Sequence, residues 1–163
     1  MRTLMLLRHG KPEDSRPGHR DEARRLTPEG VQQAADLGDH LRREHVQPDV
    51  VLCSSAMRAR QTVEALGLAA PVEVIDRLYQ AGGDEILALL RDLDDDIGHV
   101  LVVGHSPALP AVAQELADPG TSDPEALGTL ERHFPAGALA TLSVDGNWSE
   151  LDHASLLSIR LPS

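Results

Sequence analysis

The feature that most constrains the fold is a regular alternation between short apolar segments and longer amphipathic ones. Four short segments are apolar enough to be buried strands, and they cover residues 2–8, 49–53, 71–75 and 99–105. Between and after them, apolar residues at helical spacing predict helices over 28–45, 56–66, 84–93 and 108–117. Parallel strands need crossover helices of this kind, which pack on the faces of the sheet. The pattern therefore predicts an α/β fold with three α/β/α layers and a mostly parallel central sheet.

The first predicted helix has clear signals at its start. Thr27 is suited to the N-cap, and Pro28 follows at the first helical position, where a missing N–H costs nothing. The preceding stretch, residues 11–25, is polar, contains two prolines and predicts a loop. A loop of this kind next to a strand end is a natural place for specificity determinants.

The last part of the chain has a different character. Residues 118–135 contain three prolines and many small polar residues, and they predict a loop. Residues 138–153 predict a β-hairpin that turns at Asp145–Gly146, and 155–161 predict a final strand. Antiparallel strands are therefore expected late in the chain. With 163 residues and no obvious linker, the chain is expected to form one domain over 1–163.

The charge balance excludes several classes of partner. Asp and Glu number 26 against 15 Lys and Arg, a net charge of −11, so neither nucleic acid nor an anionic membrane surface is an expected partner. No apolar run approaches the roughly 20 residues that span a bilayer. Arg8 interrupts the first apolar run, so no signal-peptide pattern is present, and a cytoplasmic protein is expected.

Three of the predicted strands end in residues that carry chemistry. The first ends in Arg8 and His9, the second is followed by Arg58, and the fourth ends in His105. In parallel sheets, ligands bind beyond the carboxyl ends of the strands. Two imidazoles and two guanidiniums at one edge would form a cationic pocket inside an acidic protein, and a phosphate dianion matches the fork of an arginine best.

These blocks together resemble the histidine phosphatase superfamily, the phosphoglycerate mutase-like phosphatases. The resemblance rests on "LLRHG", "CSSAMRARQT" and "VVGHSP" in that order, and it covers nearly the whole chain. It is closest to the short SixA-type phosphohistidine phosphatases, which show an arginine before a Leu-Thr pair, here in "RRLTPEG", and an "RLY" segment before the third helix. The resemblance implies the histidine phosphatase fold and a hydrolase that needs no cofactor.

The resemblance also implies roles for five residues. His9 would be the nucleophile that receives the phosphoryl group, and Arg8 and Arg58 would bind its oxygens. His105 would be the second histidine of the pocket, and Arg24 an additional phosphate contact from the loop. The physical chemistry agrees, because neutral imidazole is a nucleophile near pH 7 and fixed arginines stabilise the charge of the transition state. The remaining histidines fit no metal-binding spacing, so no metal site is expected.

One position departs from the family pattern. Larger members often have a glutamate after the third strand that acts as the general acid. Short members commonly have a glutamate after the "LY" pair, where this chain has Gln80. The nearest carboxylates in the sequence are Asp84 and Glu85, which also suit the first turn of a helix. The identity of the general acid therefore stays open.

The leading functional prediction is a metal-independent phosphatase that works through a phosphohistidine intermediate on His9. Its expected substrate is a protein phosphohistidine, as in the SixA-type branch. One alternative is a phosphatase of the same mechanism that acts on a small phosphate monoester. Another is a non-catalytic module that binds phosphate without turnover.

Overall fold

The computed structural model describes residues 1–163, and its elements alternate as the sequence predicts in the first two thirds of the chain. The strands are β1 (Arg2–Arg8), β2 (Val50–Ser54), β3 (Val72–Ile75), β4 (His99–Gly104), β5 (Leu139–Val144) and β6 (Ser155–Arg160). The helices are α1 (Pro28–Arg43), α2 (Met57–Leu66), α3 (Gly83–Arg91), α4 (Ala108–Leu116) and α5 (Pro124–Arg132). No helix has the length and apolar composition that a membrane span requires.

The six strands form one sheet in the order β3-β2-β4-β1-β5-β6. The first four strands are mutually parallel, and β5 runs antiparallel to both β1 and β6. β1 and β4 lie side by side in the centre, with Arg8 in register with Gly104. The segments that follow these two strands therefore emerge next to each other at the same edge, which confirms the predicted mostly parallel sheet with late antiparallel strands.

Side chains of the central strands alternate between two apolar layers, which makes the sheet the middle of three layers. Leu4 and Leu6 of β1 pack in the larger core with α3, α4 and α5. Met5 and Leu7 point to the opposite face and pack in the smaller core with α1 and α2. This two-sided burial explains why β1 and β4 are apolar at consecutive positions.

The cap of α1 and its contact with α2 are both sequence-determined. Thr27 Oγ1 accepts a hydrogen bond from Gly30 N–H at 3.0 Å, so the predicted N-cap is confirmed. Farther along α1, Gly38 lies so close to α2 that a Cβ atom there would be 2.0 Å from the carbonyl oxygen of Leu66. Only glycine allows this approach of the two helices.

Two predictions for the late part of the chain are wrong. Residues 118–135 are not a loop throughout, because α5 occupies Pro124–Arg132, with Asp123 accepting from Ala126 N–H as its N-cap. Its apolar residues Ala126 and Leu130 are buried in the larger core. The prolines suggested a loop, whereas Pro124 stands at the first helical turn, where proline favours a helix start.

The predicted hairpin over 138–153 also differs from the structure. β5 ends at Val144, and the segment after the Asp145–Gly146 turn contains a short 3₁₀ turn at Trp148–Glu150. The strand that pairs with β5 is β6, the final predicted strand. Trp148 is fully buried and donates its indole N–H to Ile97 O at 2.7 Å, and burial of this large ring outweighs continuation of the hairpin.

Candidate active site

The edge of the sheet beyond β1 and β4 contains a cavity of about 390 Å³. All five residues predicted for the site line it: Arg8, His9, Arg24, Arg58 and His105. The rest of the lining is Pro12, Asp21, Tyr79, Gln80 and Ser106. The cavity is therefore polar and rich in cations, although the protein as a whole carries a net charge of −11.

His9 and Arg58 are the buried polar groups of this cavity, each with 5% of its surface exposed. The Nδ1 of His9 lies 2.7 Å from the carbonyl oxygen of Gly10. A carbonyl oxygen can only accept, so Nδ1 carries the proton and Nε2 presents a lone pair. The Nε–H of Arg58 donates to this Nε2 at 3.3 Å. The ring is thus held as the neutral tautomer whose unprotonated nitrogen, Nε2, faces the guanidinium of Arg58.

Backbone contacts fix the position of His9. Its N–H donates to Gly104 O at 3.0 Å, which joins the end of β1 to the end of β4. The next N–H, of Gly10, donates to Thr62 Oγ1, and the Thr62 hydroxyl donates to Arg58 O at 2.7 Å. The same short network therefore sets the distance between β1 and the arginine on α2.

Burial and charge keep both imidazoles of the cavity neutral. Burial, together with His105, Arg58 and Arg8, lowers the pKa of His9 to about 3. Burial and the guanidinium of Arg58 lower the pKa of His105 to about 4, against a raising contribution from Asp21. The two rings have centroids 5.1 Å apart. At neutral pH the cavity therefore contains two uncharged imidazoles and three charged guanidiniums.

His105 is held by Ser54 from the end of β2. Ser54 Oγ lies 2.7 Å from His105 Nε2 and also accepts from the N–H of Ala56, the residue that precedes α2. The Ser54 hydroxyl thus joins the second histidine to the segment that leads into α2. The ring of Tyr79 meets His105 edge-on, with centroids 5.7 Å apart.

Asp21 contacts two of the cationic side chains, and it is not among the site residues predicted from the sequence. Its Oδ1 accepts from Arg24 at 3.0 Å, and its Oδ2 accepts from Arg58 at 3.0 Å and from the Tyr79 hydroxyl at 2.5 Å. The Tyr79 hydroxyl first, and then the two arginines, lower the pKa of Asp21 to about 2. The only available signal was the spacing of Asp21 and Arg24, three residues apart in a polar loop.

Arg8 and Arg24 both line the cavity and are anchored by different backbone carbonyls. Arg8 donates to Phe134 O at 3.0 Å, and burial lowers its pKa. Arg24 donates to Glu13 O at 3.2 Å in addition to its bond with Asp21. Phe134 is the point where the 118–135 segment reaches the site.

The two carboxylates that the sequence offered as general acids lie elsewhere. Asp84 and Glu85 are in the first turn of α3, where Glu85 Oε1 accepts from Gly82 N–H as part of the cap. Neither lines the cavity, whereas Gln80 does. Asp21 is therefore the one carboxylate at the cavity, and it is ionised.

The fold and the charge of the cavity define a class, the α/β proteins that receive an oxyanion at the carboxyl edge of a parallel sheet. Residues 4–84 match the sequence profile of the histidine phosphatase superfamily (branch 1). A Mycobacterium leprae protein without an assigned function is 37% identical over 161 residues, covering 96% of this chain and 99% of the relative. Phosphohistidine phosphatase SixA of Escherichia coli is 28% identical over 148 residues, covering 87% of this chain and 85% of the relative.

Solved structures give the same result. A protein of Nakamurella multipartitia with the provisional designation phosphohistidine phosphatase SixA is 42% identical, with a TM-score of 0.88 over 99% of this chain and 96% of that one. The protein histidine phosphatase SixA in complex with tungstate is 25% identical, with a TM-score of 0.80 over 98% of this chain and 97% of that one.

The chain belongs to the histidine phosphatase superfamily, and within it to the SixA-type branch. This membership assigns it to the phosphatases, a class of hydrolases. The resemblance that the three sequence blocks indicated is therefore confirmed.

Proposed function

We propose that the protein is a phosphohistidine phosphatase that works through a phosphoryl intermediate on His9. The observation that carries the proposal is the neutral imidazole of His9, whose Nε2 lone pair faces the cavity 3.3 Å from Arg58 Nε. A nucleophile must be unprotonated at the attacking atom, and the hydrogen bond from Nδ1 to Gly10 O favours that tautomer. In this proposal the whole chain, residues 1–163, acts as one domain in the cytoplasm.

The reaction takes place in two steps. His9 Nε2 attacks the phosphorus atom, a new N–P bond forms and the bond from phosphorus to the leaving group breaks. Water then attacks the phosphohistidine, which releases inorganic phosphate and restores the neutral imidazole. Arg8, Arg24 and Arg58, with His105, surround the equatorial oxygens, where charge accumulates in the loose transition state. The three arginines supply the charge stabilisation that a metal ion gives in other phosphatases.

The absence of a neutral carboxylic acid in the cavity lining favours a protein phosphohistidine as the substrate. Asp21 is the one carboxylate there, and its pKa of about 2 leaves it without a proton to give at neutral pH. An alkyl phosphate needs an acid to protonate its departing alkoxide, whereas the imidazole of phosphohistidine departs neutral once its ring is protonated. The two SixA relatives, at 25% and 28% identity, support the same substrate class.

The surroundings of the cavity also suit a protein substrate. The loop over 11–25 lines a second cavity of about 400 Å³ that shares Asp21 and Arg24 with the first. Most of this loop is exposed. The entrance to the site is therefore a broad polar surface, on which a side chain presented by another protein can be bound.

A side-by-side assay tests the proposal. Purified protein is given a phosphohistidine-containing protein, an activated aryl phosphate and an alkyl phosphate, each with and without exhaustive chelation of divalent cations. We expect the phosphohistidine protein to have the highest kcat/KM, and chelation to leave every rate unchanged. Preference for an alkyl phosphate would favour the small-molecule alternative, and no turnover of any compound would favour a binding module. A rate restored only by a divalent cation would contradict the metal-free mechanism.

A further inference from the structure

Asp21 links the cationic side chains of the cavity to one another. Its side chain accepts hydrogen bonds from Arg24, Arg58 and Tyr79, and its backbone carbonyl accepts a fourth from Arg58 Nη1 at 2.8 Å. The side chain of Arg58 is only 7% exposed, while that of Asp21 is 46% exposed. Arg58 makes no other ion pair. A buried guanidinium therefore obtains its counter-charge from a residue at the rim of the cavity.

The contacts of Arg58 divide its donors between two tasks. Both terminal nitrogens, Nη1 and Nη2, are occupied by Asp21, and Nε–H is directed at His9 Nε2. Rotation of the guanidinium would break both bonds to Asp21. When a phosphoryl group is transferred to Nε2, the Nε–H has to give up Nε2 as its acceptor, and it can donate to a phosphoryl oxygen instead, provided that the guanidinium stays close to this orientation.

We infer that Asp21 is a positioning residue, which holds the guanidinium of Arg58 with its Nε–H facing the phosphoryl position on His9. The inference rests on the proposed function, because it assigns Asp21 a part in that reaction. Asp21 acts through Arg58 and does not contact the reacting atoms itself.

Tyr79 supports the same arrangement through contacts with both Asp21 and Arg58. Its hydroxyl donates to Asp21 Oδ2 at 2.5 Å, so the carboxylate oxygen that binds Arg58 is itself held. The Arg58 guanidinium carbon lies 5.8 Å from the centre of the Tyr79 ring. Tyr79 thus limits the movement of both partners of the ion pair, and its conversion to Phe removes one hydrogen bond without changing any charge.

A second role for Asp21, as the missing proton donor, is less consistent with the contacts. Both carboxylate oxygens accept hydrogen bonds, from two cations and a hydroxyl, and each of these stabilises the ionised form. A proton donor would act independently of Arg58, whereas a positioning residue acts only through it. The two roles therefore differ in how the effects of mutations at Asp21 and Arg58 combine.

A double-mutant cycle tests the inference. The variants are Asp21→Asn, Arg58→Ala and their combination, with Tyr79→Phe in both backgrounds as a milder change. Glu22→Gln is the matched control, because Glu22 lies on the same 3₁₀ turn and pairs only with Arg20. The readouts are kcat/KM and the thermal midpoint of each variant. The substrate is an activated aryl phosphate, so that the low activity of Arg58→Ala can still be measured.

We expect Asp21→Asn to lower kcat/KM about 10- to 100-fold, the effect of a misplaced transition-state contact. In the Arg58→Ala background the same change should cost less than about 3-fold, since no guanidinium remains to be positioned. Tyr79→Phe should show a smaller loss with the same dependence on Arg58, and Glu22→Gln none. If Asp21→Asn does not fold, Tyr79→Phe carries the same test.

Two results would overturn the inference. One is wild-type activity in Asp21→Asn or, if that variant does not fold, wild-type activity in Tyr79→Phe. The other is a loss that is equally large in the Arg58→Ala background, which would indicate a proton donor or an effect through Arg24. Both are distinct from failure of the proposed function, in which wild-type protein is inactive or His9→Ala is active.

Discussion

The Nε–H of Arg58 lies 3.3 Å from the Nε2 of His9, and both side chains are buried. His9 directly follows β1 and Arg58 is in the first turn of α2, so this contact joins two elements at the cavity. The guanidinium disfavours protonation of the imidazole beside it, and in the proposed reaction its Nε–H would exchange Nε2 for an oxygen of the phosphoryl group. In the proposed mechanism, the two side chains would serve as a neutral nucleophile and an oxyanion contact.

The rate of phosphoryl transfer should depend steeply on the leaving group. Without a carboxylic acid at the cavity, aryl phosphates should react well and alkyl phosphates should be slower by about 10²- to 10⁴-fold, the usual contribution of a general acid. A graded series of phosphate monoesters, with the rate of His9 phosphorylation plotted against leaving-group pKa, measures this. Asp84→Asn and Glu85→Gln are the controls and should not change the slope, because neither residue lines the cavity.

A flat plot would show that an efficient proton donor is present. Asp21→Asn would then identify whether it is Asp21, because loss of the donor should slow alkyl phosphates and spare aryl ones.

The two neutral histidines should make the free energy of unfolding depend on pH. Their pKa values are about 3 for His9 and about 4 for His105 in the folded protein, against 6.5 for an ordinary histidine. As the pH falls from about 6.5 towards 4, the unfolded state takes up protons at both residues and the folded state does not, so stability decreases. For the buried His9 the slope is up to about 1.4 kcal/mol per pH unit, and for the more exposed His105 it is less.

Urea denaturation of wild-type protein and His9→Asn across this pH range isolates the contribution of His9, because the other groups cancel in the difference. The variant should lose stability less steeply as the pH falls. Parallel curves for the two proteins would mean that His9 titrates normally in the folded state.

Substitution of Gly38 by Ala should be strongly destabilising. The added Cβ would lie 2.0 Å from Leu66 O and 2.8 Å from Leu66 C, and these are backbone atoms that cannot move without separating α1 from α2. We expect a loss of about 2–3 kcal/mol or more in the free energy of unfolding. Gly83→Ala is the matched control, because its Cβ would meet Val112 Cγ2 at an ordinary 3.6 Å at the start of α3. An equally stable Gly38→Ala would contradict this packing of the two helices.

The sheet and the strand-end residues could be predicted because each depends on local sequence. Consecutive apolar positions in β1 and β4 indicate burial on both faces, and residues that follow parallel strands must emerge at one edge. Arg8, His9, Arg58 and His105 could therefore be assigned to one place without coordinates. The cap at Thr27 was equally local.

What could not be predicted depends on contacts between distant segments. Asp21 is hydrogen-bonded to Arg58, 37 residues away, and to Tyr79, 58 residues away. Its neighbours in the sequence indicate only a charged loop. The prolines around helix α5 predict a loop from the sequence alone, whereas the Asp123–Pro124 pair starts the helix. Trp148 is buried in the larger core against elements far away in the sequence, and the chain around it forms a 3₁₀ turn in place of the predicted hairpin strand.

Trapping of the covalent intermediate tests the central claim most directly. Brief reaction with excess aryl phosphate, a quench that avoids acid and mass spectrometry of the digested protein should locate one phosphate on His9. The adduct should be stable in alkali and labile in acid, as expected of an N–P bond. His9→Ala should lose both the label and the turnover. Turnover by His9→Ala, or a phosphate found on a different residue, would contradict the account.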